Sequence, residues 1–309
     1  MIDLHCDTAS RLYYEGGRLN KNEFSVDIKK LKKAGAYGQV FAHFIEMDKC
    51  KNPYEEFLAM HRNFLKELGD NKESINIVTN VEELENANKE GKIGAFLSIE
   101  EGEVLEGKVE RVKNIYDLGI RIITLTWNFP NKIGYPNIDF IYKDKGLTQC
   151  GREIVAEMER VGIIPDVSHL SDKGFFDVLE ICKKPFIASH SNARAIKCHP
   201  RNLTDNMIKK LSEKGGVMGI NFCSNFLGES EISKLDDMII HIDHIKNVGG
   251  IDVIAIGSDF DGIGNEVEIK NIGEIGLLAD RLKYRGYKES EIEKIFSKNA
   301  LRVFKDVLK

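Results

Sequence analysis

Short, almost uninterrupted apolar runs alternate along this chain with segments of helical periodicity, and that alternation narrows the available folds more than any other feature. The runs lie at the start of the chain and at residues 37–45, 93–99, 122–128, 162–169, 185–190, 216–222 and 252–259. A strand that is apolar on both faces has to be covered on both, which points to a parallel sheet sheathed by helices. Helices are expected over residues 27–34, 53–68, 81–91, 108–118, 147–161, 172–182, 204–214, 233–248, 272–283 and 290–308. Several are stopped by glycine, as at Gly35, Gly69 and Gly119, and Thr204 is placed to act as an N-cap. Eight strands in 309 residues predict a (β/α)8 TIM barrel with modest insertions, occupying residues 1–309 as a single domain. A doubly wound open sheet is the alternative, but no glycine-rich phosphate loop follows the first strand to favour it.

In such a barrel the C-terminal strand ends converge on one face, where functional groups collect. Here those ends carry His5 and Asp7 (first strand), Glu100 (third), His169 (fifth), His190 (sixth) and Asp259 (eighth). On a strand rising roughly 3.3 Å per residue, His5 and Asp7 project from one face, about 6–7 Å apart at their backbones, while Cys6 faces away. Any one of these residues could as well be structural, and an isolated His-x-Asp is more often a surface pair. Their convergence at the same ends of their strands is what points to a metal centre. Three imidazoles with two or three carboxylates exceed the three protein ligands of one catalytic zinc. They suit two ions about 3.5–4 Å apart that share a carboxylate, and Glu100 is the natural bridge. Ligation by imidazole and carboxylate without thiolate suits zinc, and manganese, cobalt or iron would also fit. A pair of such ions activates water and polarises a carbonyl, so the implied reaction class is hydrolysis and the barrel is of the metal-dependent hydrolase type.

The remaining chemistry is bland. His43, near the end of the second strand, is expected to be a hydrogen-bonded core residue. His241 and His244, at helical spacing in a charged helix, are expected at the surface or in a cap. The six cysteines are dispersed with no Cys-x-x-Cys pair, so they read as reduced packing thiols. A net charge of -5 with no basic stripe excludes nucleic acid as a natural partner. Met1 leads straight into the first strand and nowhere do about 18 apolar residues run together, so a soluble, cytoplasmic chain with no membrane partner is expected.

Taken in order, His5-Cys6-Asp7, Ser98-Ile99-Glu100-Glu101-Gly102, Asp166-Val167-Ser168-His169, Ser189-His190-Ser191-Asn192-Ala193, Arg201-Asn202-Leu203, Gly257-Ser258-Asp259-Phe260-Asp261-Gly262 and Asn299-Ala300-Leu301-Arg302-Val303-Phe304 give the chain a clear likeness. It resembles the membrane (renal) dipeptidase family, and more closely its soluble bacterial members. The motifs are short individually but span nearly the whole chain in the family's order. The resemblance implies a dipeptidase with two zinc ions, one held by His5, Asp7 and Glu100 and the other by Glu100, His169 and His190. It implies that Arg201 pairs with the free carboxylate of a dipeptide substrate, for which a guanidinium fork is suited. It also implies that Asp259 takes a proton from the attacking water and passes it to the departing amine, with Asp261 a structural carboxylate shaping the turn. A homodimer, and tolerance of a D residue at the C-terminal position, are carried over in the same way.

Two departures stand out. Where the renal enzymes end the fourth strand in a His that helps bind substrate and stabilise the oxyanion, this chain has Trp127 and Asn128. Either Asn128 or a metal ion alone then takes that role, and Trp127 walls the pocket. No secretion signal or lipid-anchor tail is seen, which removes the membrane from the expected function. Two rivals remain at this point. Another barrel hydrolase, a deaminase or lactonase, usually carries His-x-His on the first strand rather than His-x-Asp. A catalytically silent metal-binding protein is motivated by the missing fourth-strand His.

Overall fold

The computed structural model describes residues 1–309 and joins its strands into one parallel sheet that closes on itself. In chain order they are β1 (Ile2–Asp3), β2 (Gly38–Phe44), β3 (Ile75–Ile77), β4 (Ile93–Glu100), β5 (Ile120–Thr124), β6 (Ile164–Asp166), β7 (Ile187–Ala188), β8 (Val217–Ile220) and β9 (Ile254–Ile256). β1 lies between β2 and β9, the ladder continues through β8, β7, β6 and β5 to β4, and β4 returns to β2 along the whole of that strand. Eight strands therefore form the barrel, as the alternation of apolar runs predicts. β3 stands outside the closure and extends the sheet beside the first residues of β4. Only Ile75 of its three residues is buried, so it leaves no apolar run to read.

Alternation along the strands sorts apolar side chains into two clusters. One contains Ile2, Val40, Phe96, Ile122, Ile164, Ile187, Val217 and Ala255, one from each barrel strand, together with Ala300, Val303, Phe304 and Val307 of the C-terminal helix Asn299–Val307. That helix plugs the N-terminal mouth: the Phe304 ring lies 4.6 Å from Phe96, and the Asn299 amide donates to the carbonyls of Ile251 and Ile254, each at 2.8 Å. The larger cluster, which includes Phe41, Leu97 and Ile123, fills the layer between strands and helices. With one mouth sealed, the C-terminal mouth is left for a site. No helix is long and apolar enough to cross a membrane.

Several ladders are shorter than the apolar runs that announce them, and the cause is specific. Past β6 and β7 the amides of Ser168 and Ser189 donate to the buried Asp166 carboxylate, and past β9 the amide of Ser258 donates to the buried Asp3 carboxylate. These N–H groups are taken from the ladder, and the chain leaves the barrel as loops. The first strand likewise ends at Asp3, and Asp7 occupies the N-cap position of a helix, Thr8–Tyr14, that the periodicity does not predict. His5 and Asp7 thus meet without sharing a strand face, which corrects the simple strand geometry.

Among the histidines outside the mouth, His43 is a core residue as expected: its Nδ1 lies 2.9 Å from the Ser98 carbonyl and its Nε2 faces His61 Nδ1 at 3.4 Å. His241 corrects the surface assignment. It is fully buried, its Nδ1 accepting from the Ala193 amide and its Nε2 donating to the Leu227 carbonyl. Of the two, only His244 reaches solvent, bonded to Asp205. Helical spacing alone does not separate the two.

Burial holds the His43 and His61 imidazoles well below their usual value of 6.5, at about 3 and about 4. Between those values and 6.5 the unfolded chain binds more protons than the folded one, so this pair makes stability fall as pH falls. His61→Phe removes one of the two sites. Its stability relative to the parent is expected to rise as pH drops from 6.5 to 4, by at most about 1.4 kcal/mol per pH unit. Urea unfolding at several pH values measures this, and a pH-independent difference would contradict it.

Candidate metal centre

At the open mouth the structure brings the six strand-end residues into one cluster. His5 Nε2 lies 3.3 Å from Glu100 Oε2, 3.5 Å from Asp7 Oδ2 and 3.9 Å from Asp259 Oδ1. The other Glu100 oxygen, Oε1, lies 3.1 Å from His169 Nε2 and 3.5 Å from His190 Nε2, and those two nitrogens are 3.0 Å apart. Glu100 therefore turns one oxygen to each side. All six residues are buried except Asp259, which is partly open to the cavity.

The backbone is bent to achieve this. Left-handed φ values occur at His169 (67°) and Asp259 (60°), and at Glu101 (97°), an uncommon conformation for residues with a Cβ. Gly262 is required for a related reason: a Cβ there would sit 2.1 Å from Asp7 Oδ2 and 2.6 Å from Asp259 Oδ1. Asp261 accepts from the Thr8 hydroxyl and the Ser25 amide, each at 2.6 Å, and so ties the turn after β9 to the first helix.

Whether these residues fit a metal can be judged from their own balance. Buried polar atoms normally find hydrogen-bond partners. Here His5 Nε2 and Asp7 Oδ1 are buried without any. Burial, reinforced by Glu100, pushes Asp7 up to about 7, and burial pushes Asp259 up to about 6. Burial also lowers His169 to about 4 and His190 well below the usual range. Burial opposes charge on Glu100 as well, yet the neighbouring charge of His5 above all holds it well below the usual carboxylate value. Against burial, Glu100 and Asp7 raise His5 well above the usual imidazole range, so one imidazolium faces three carboxylates, and a cluster this short of cationic charge suits divalent cations. The sets His5, Asp7, Glu100 and Glu100, His169, His190 each place one ligand atom per residue within 4.8 Å of the others. A third set substitutes Asp166, but its oxygens already accept from Ser168, Ser189 and Thr124.

Above the cluster opens a cavity of about 570 Å³, lined among others by Phe44, Trp127, Asn128, Arg201 and Asp259. Trp127 packs its ring 4.8 Å from Phe44 and 5.8 Å from Phe129, forming an aromatic wall. Asn128 lies four residues beyond β5 rather than at its end, and its Oδ1 sits 3.1 Å from His169 Nδ1. Arg201 is buried, with Nη2 3.4 Å from the His190 carbonyl and with Nε and Nη1 unpartnered.

Two supporting residues escape the sequence reading. Glu101 accepts from the Trp127 amide at 3.1 Å and the Asn131 side chain at 2.5 Å, fastening the loop that carries Trp127 and Asn128. From the acidic run after the third strand the sequence reading picks Glu100 for the centre, but it gives Glu101 no part. Asn221 donates to Asp259 Oδ2 at 2.9 Å. An amide at the seventh strand end carries no metal-ligand signature, so only its position could have drawn notice.

Residues 1–309 match the family model described as membrane dipeptidase, peptidase family M19. An uncharacterized dipeptidase of Schizosaccharomyces pombe is 30% identical over 299 residues, spanning 90% of this chain and 71% of the relative. Among solved structures, dipeptidase AC, a metallo peptidase of family M19, gives a TM-score of 0.91 at 26% identity, covering 99% of this chain and 98% of that one. A metallo peptidase from Rhodobacter sphaeroides, solved with a phosphinate mimic of the dipeptide L-Ala-D-Ala, gives 0.92 at 24% identity, covering 99% and 98%. At that identity the likeness is one of fold.

The close approach at Gly262 gives a direct test of the cluster. Gly262→Ala is expected to displace Asp7 and Asp259 and weaken divalent-cation binding by about 10–100-fold, as changes that misplace ligands do. Competition with a chromophoric chelator reads the effect, and parental affinity in the variant would contradict it.

Proposed function

The chain belongs to the membrane dipeptidase family, peptidase family M19, and is a metallodipeptidase; we propose that it cleaves the peptide bond of dipeptides using two zinc ions. The observation that carries this reading is Glu100, with one oxygen toward His5 and the other toward His169 and His190. In it, His5, Asp7 and Glu100 hold one ion, and Glu100, His169 and His190 the other. Their donor set of imidazole and carboxylate suits zinc. The chemistry two such ions supply when bound is water activation near neutral pH and polarisation of a carbonyl.

The chain's own residues do the rest. Asp259 faces the cavity with Oδ1 turned toward His5 and Oδ2 held by Asn221, placed to take a proton from the attacking water and return it to the departing amine. Arg201 offers two unpartnered guanidinium nitrogens, a match for the C-terminal carboxylate of a dipeptide. Trp127 and Phe44 wall the cavity on one side and restrict water. Asn128 has its carbonyl oxygen engaged by His169, so its amide hydrogens are the part left for substrate or its oxyanion.

Metal-loaded protein is expected to hydrolyse members of a small dipeptide panel. Asp259→Asn should retain its metal and lose about 100-fold or more in kcat, the usual scale for a general acid–base group. Loss of metal with that substitution would make Asp259 a ligand instead. Arg201→Met should lower kcat/KM by about 10–100-fold, matching the loss of a charge-assisted hydrogen bond, and parental kinetics would contradict the carboxylate role.

A further inference from the structure

We infer that Ser189, backed by Asp166, is a positioning residue that fixes the tautomer of His190 and leaves its Nε2 lone pair facing Glu100. The inference rests on the metallodipeptidase reading for its purpose, but its geometry stands apart from that reading.

Asp166 ends β6 with its side chain fully buried. Its Oδ1 accepts from the amides of Ser168 at 3.0 Å and Ser189 at 2.8 Å, and its Oδ2 accepts from the hydroxyls of Thr124 at 2.6 Å and Ser189 at 2.5 Å. A carboxylate with four donors on it has no hydrogen to give, and a serine has only one. The Ser189 hydroxyl hydrogen therefore points at Asp166. Its oxygen also lies 2.7 Å from His190 Nδ1 and can meet that nitrogen only as an acceptor. So Nδ1 carries the proton and Nε2 is bare.

His169 reaches the same state by another route, its Nδ1 donating to Asn128 Oδ1 at 3.1 Å. The two Nε2 atoms, 3.0 Å apart, then present facing lone pairs rather than a hydrogen bond. Such a contact is repulsive unless a positive centre lies beside it. This is the pattern of a ligating imidazole whose second nitrogen is held by an acceptor. It also separates Asp166 from the ligand sets, since an anchor with all its lone pairs committed has none for a cation.

A second grip of the same form serves as the control. Asp3 accepts from the Ser258 amide at 2.8 Å and hydroxyl at 2.7 Å, but the residue after Ser258 is Asp259, so no imidazole hangs on that serine.

Two-bond proton–nitrogen NMR correlation on the metal-free protein reads histidine tautomers directly. The parent is expected to show His190 protonated at Nδ1. In Ser189→Ala that preference should be lost, and in Ser258→Ala it should persist. Asp166→Asn gives the sharpest result. Its amide oxygen must stay on the two backbone donors, so its NH2 faces Ser189 and turns that hydroxyl toward His190, and the tautomer should reverse to Nε2–H. Zinc affinity at one of two equivalents should fall about 10–100-fold in Ser189→Ala and Asp166→Asn. An Nδ1–H signal that survives both substitutions would overturn the inference, as would the same loss of that signal in Ser258→Ala. A parent that binds no zinc would sink the metallodipeptidase reading while the tautomer result still decides the role of Ser189.

Discussion

Glu100 is buried where charge is costly, between imidazoles that cannot all be protonated and carboxylates that cannot all be ionised. Removing a carboxylate from water without a partner costs several kcal/mol or more, so a cluster of this kind persists only if something compensates it and the surroundings hold it in place. The compensation expected here is cationic. The holding is done by the fold, because His5, Glu100, His169, His190 and Asp259 arrive from strand ends far apart in sequence and are brought together by barrel closure. The C-terminal helix that seals the opposite mouth contributes indirectly, by completing the core on which those strands rest.

Around that cluster the chain departs repeatedly from regular structure, and each departure has an identifiable cause. Ladders stop where Asp3 and Asp166 take strand amides, the backbone turns left-handed at His169 and Asp259, and a glycine stands where any Cβ would strike two carboxylates. Local strain of this sort survives only when surrounding contacts over-determine it. The buried serines and carboxylates beneath the centre supply those contacts. They do not line the cavity, yet they hold the groups that do.

The barrel was legible because apolar runs covered on both faces leave few alternatives, and the strand ends were legible because His, Asp and Glu are rare after such runs. The strand outside the closure, β3, was not, since three residues with one buried carry no pattern. The burial of His241 was hidden because its partners, the Ala193 amide and the Leu227 carbonyl, come from other loops. Glu101 and Asn221 were hidden for the same reason: a hydrogen bond across loops leaves no periodic trace. His5 and Asp7 were expected to share a strand face; the helix starting at Thr8 replaces that geometry, and their side chains meet at 3.5 Å all the same.

The proposed two-ion centre is tested most directly by anomalous diffraction at the zinc edge from crystals of the zinc-loaded protein. Two peaks about 3.5–4 Å apart are expected, one on each oxygen of Glu100, with the imidazole Nε2 atoms about 2.0–2.1 Å from their ions. A single peak, or peaks that leave Glu100 without a metal, would contradict the account.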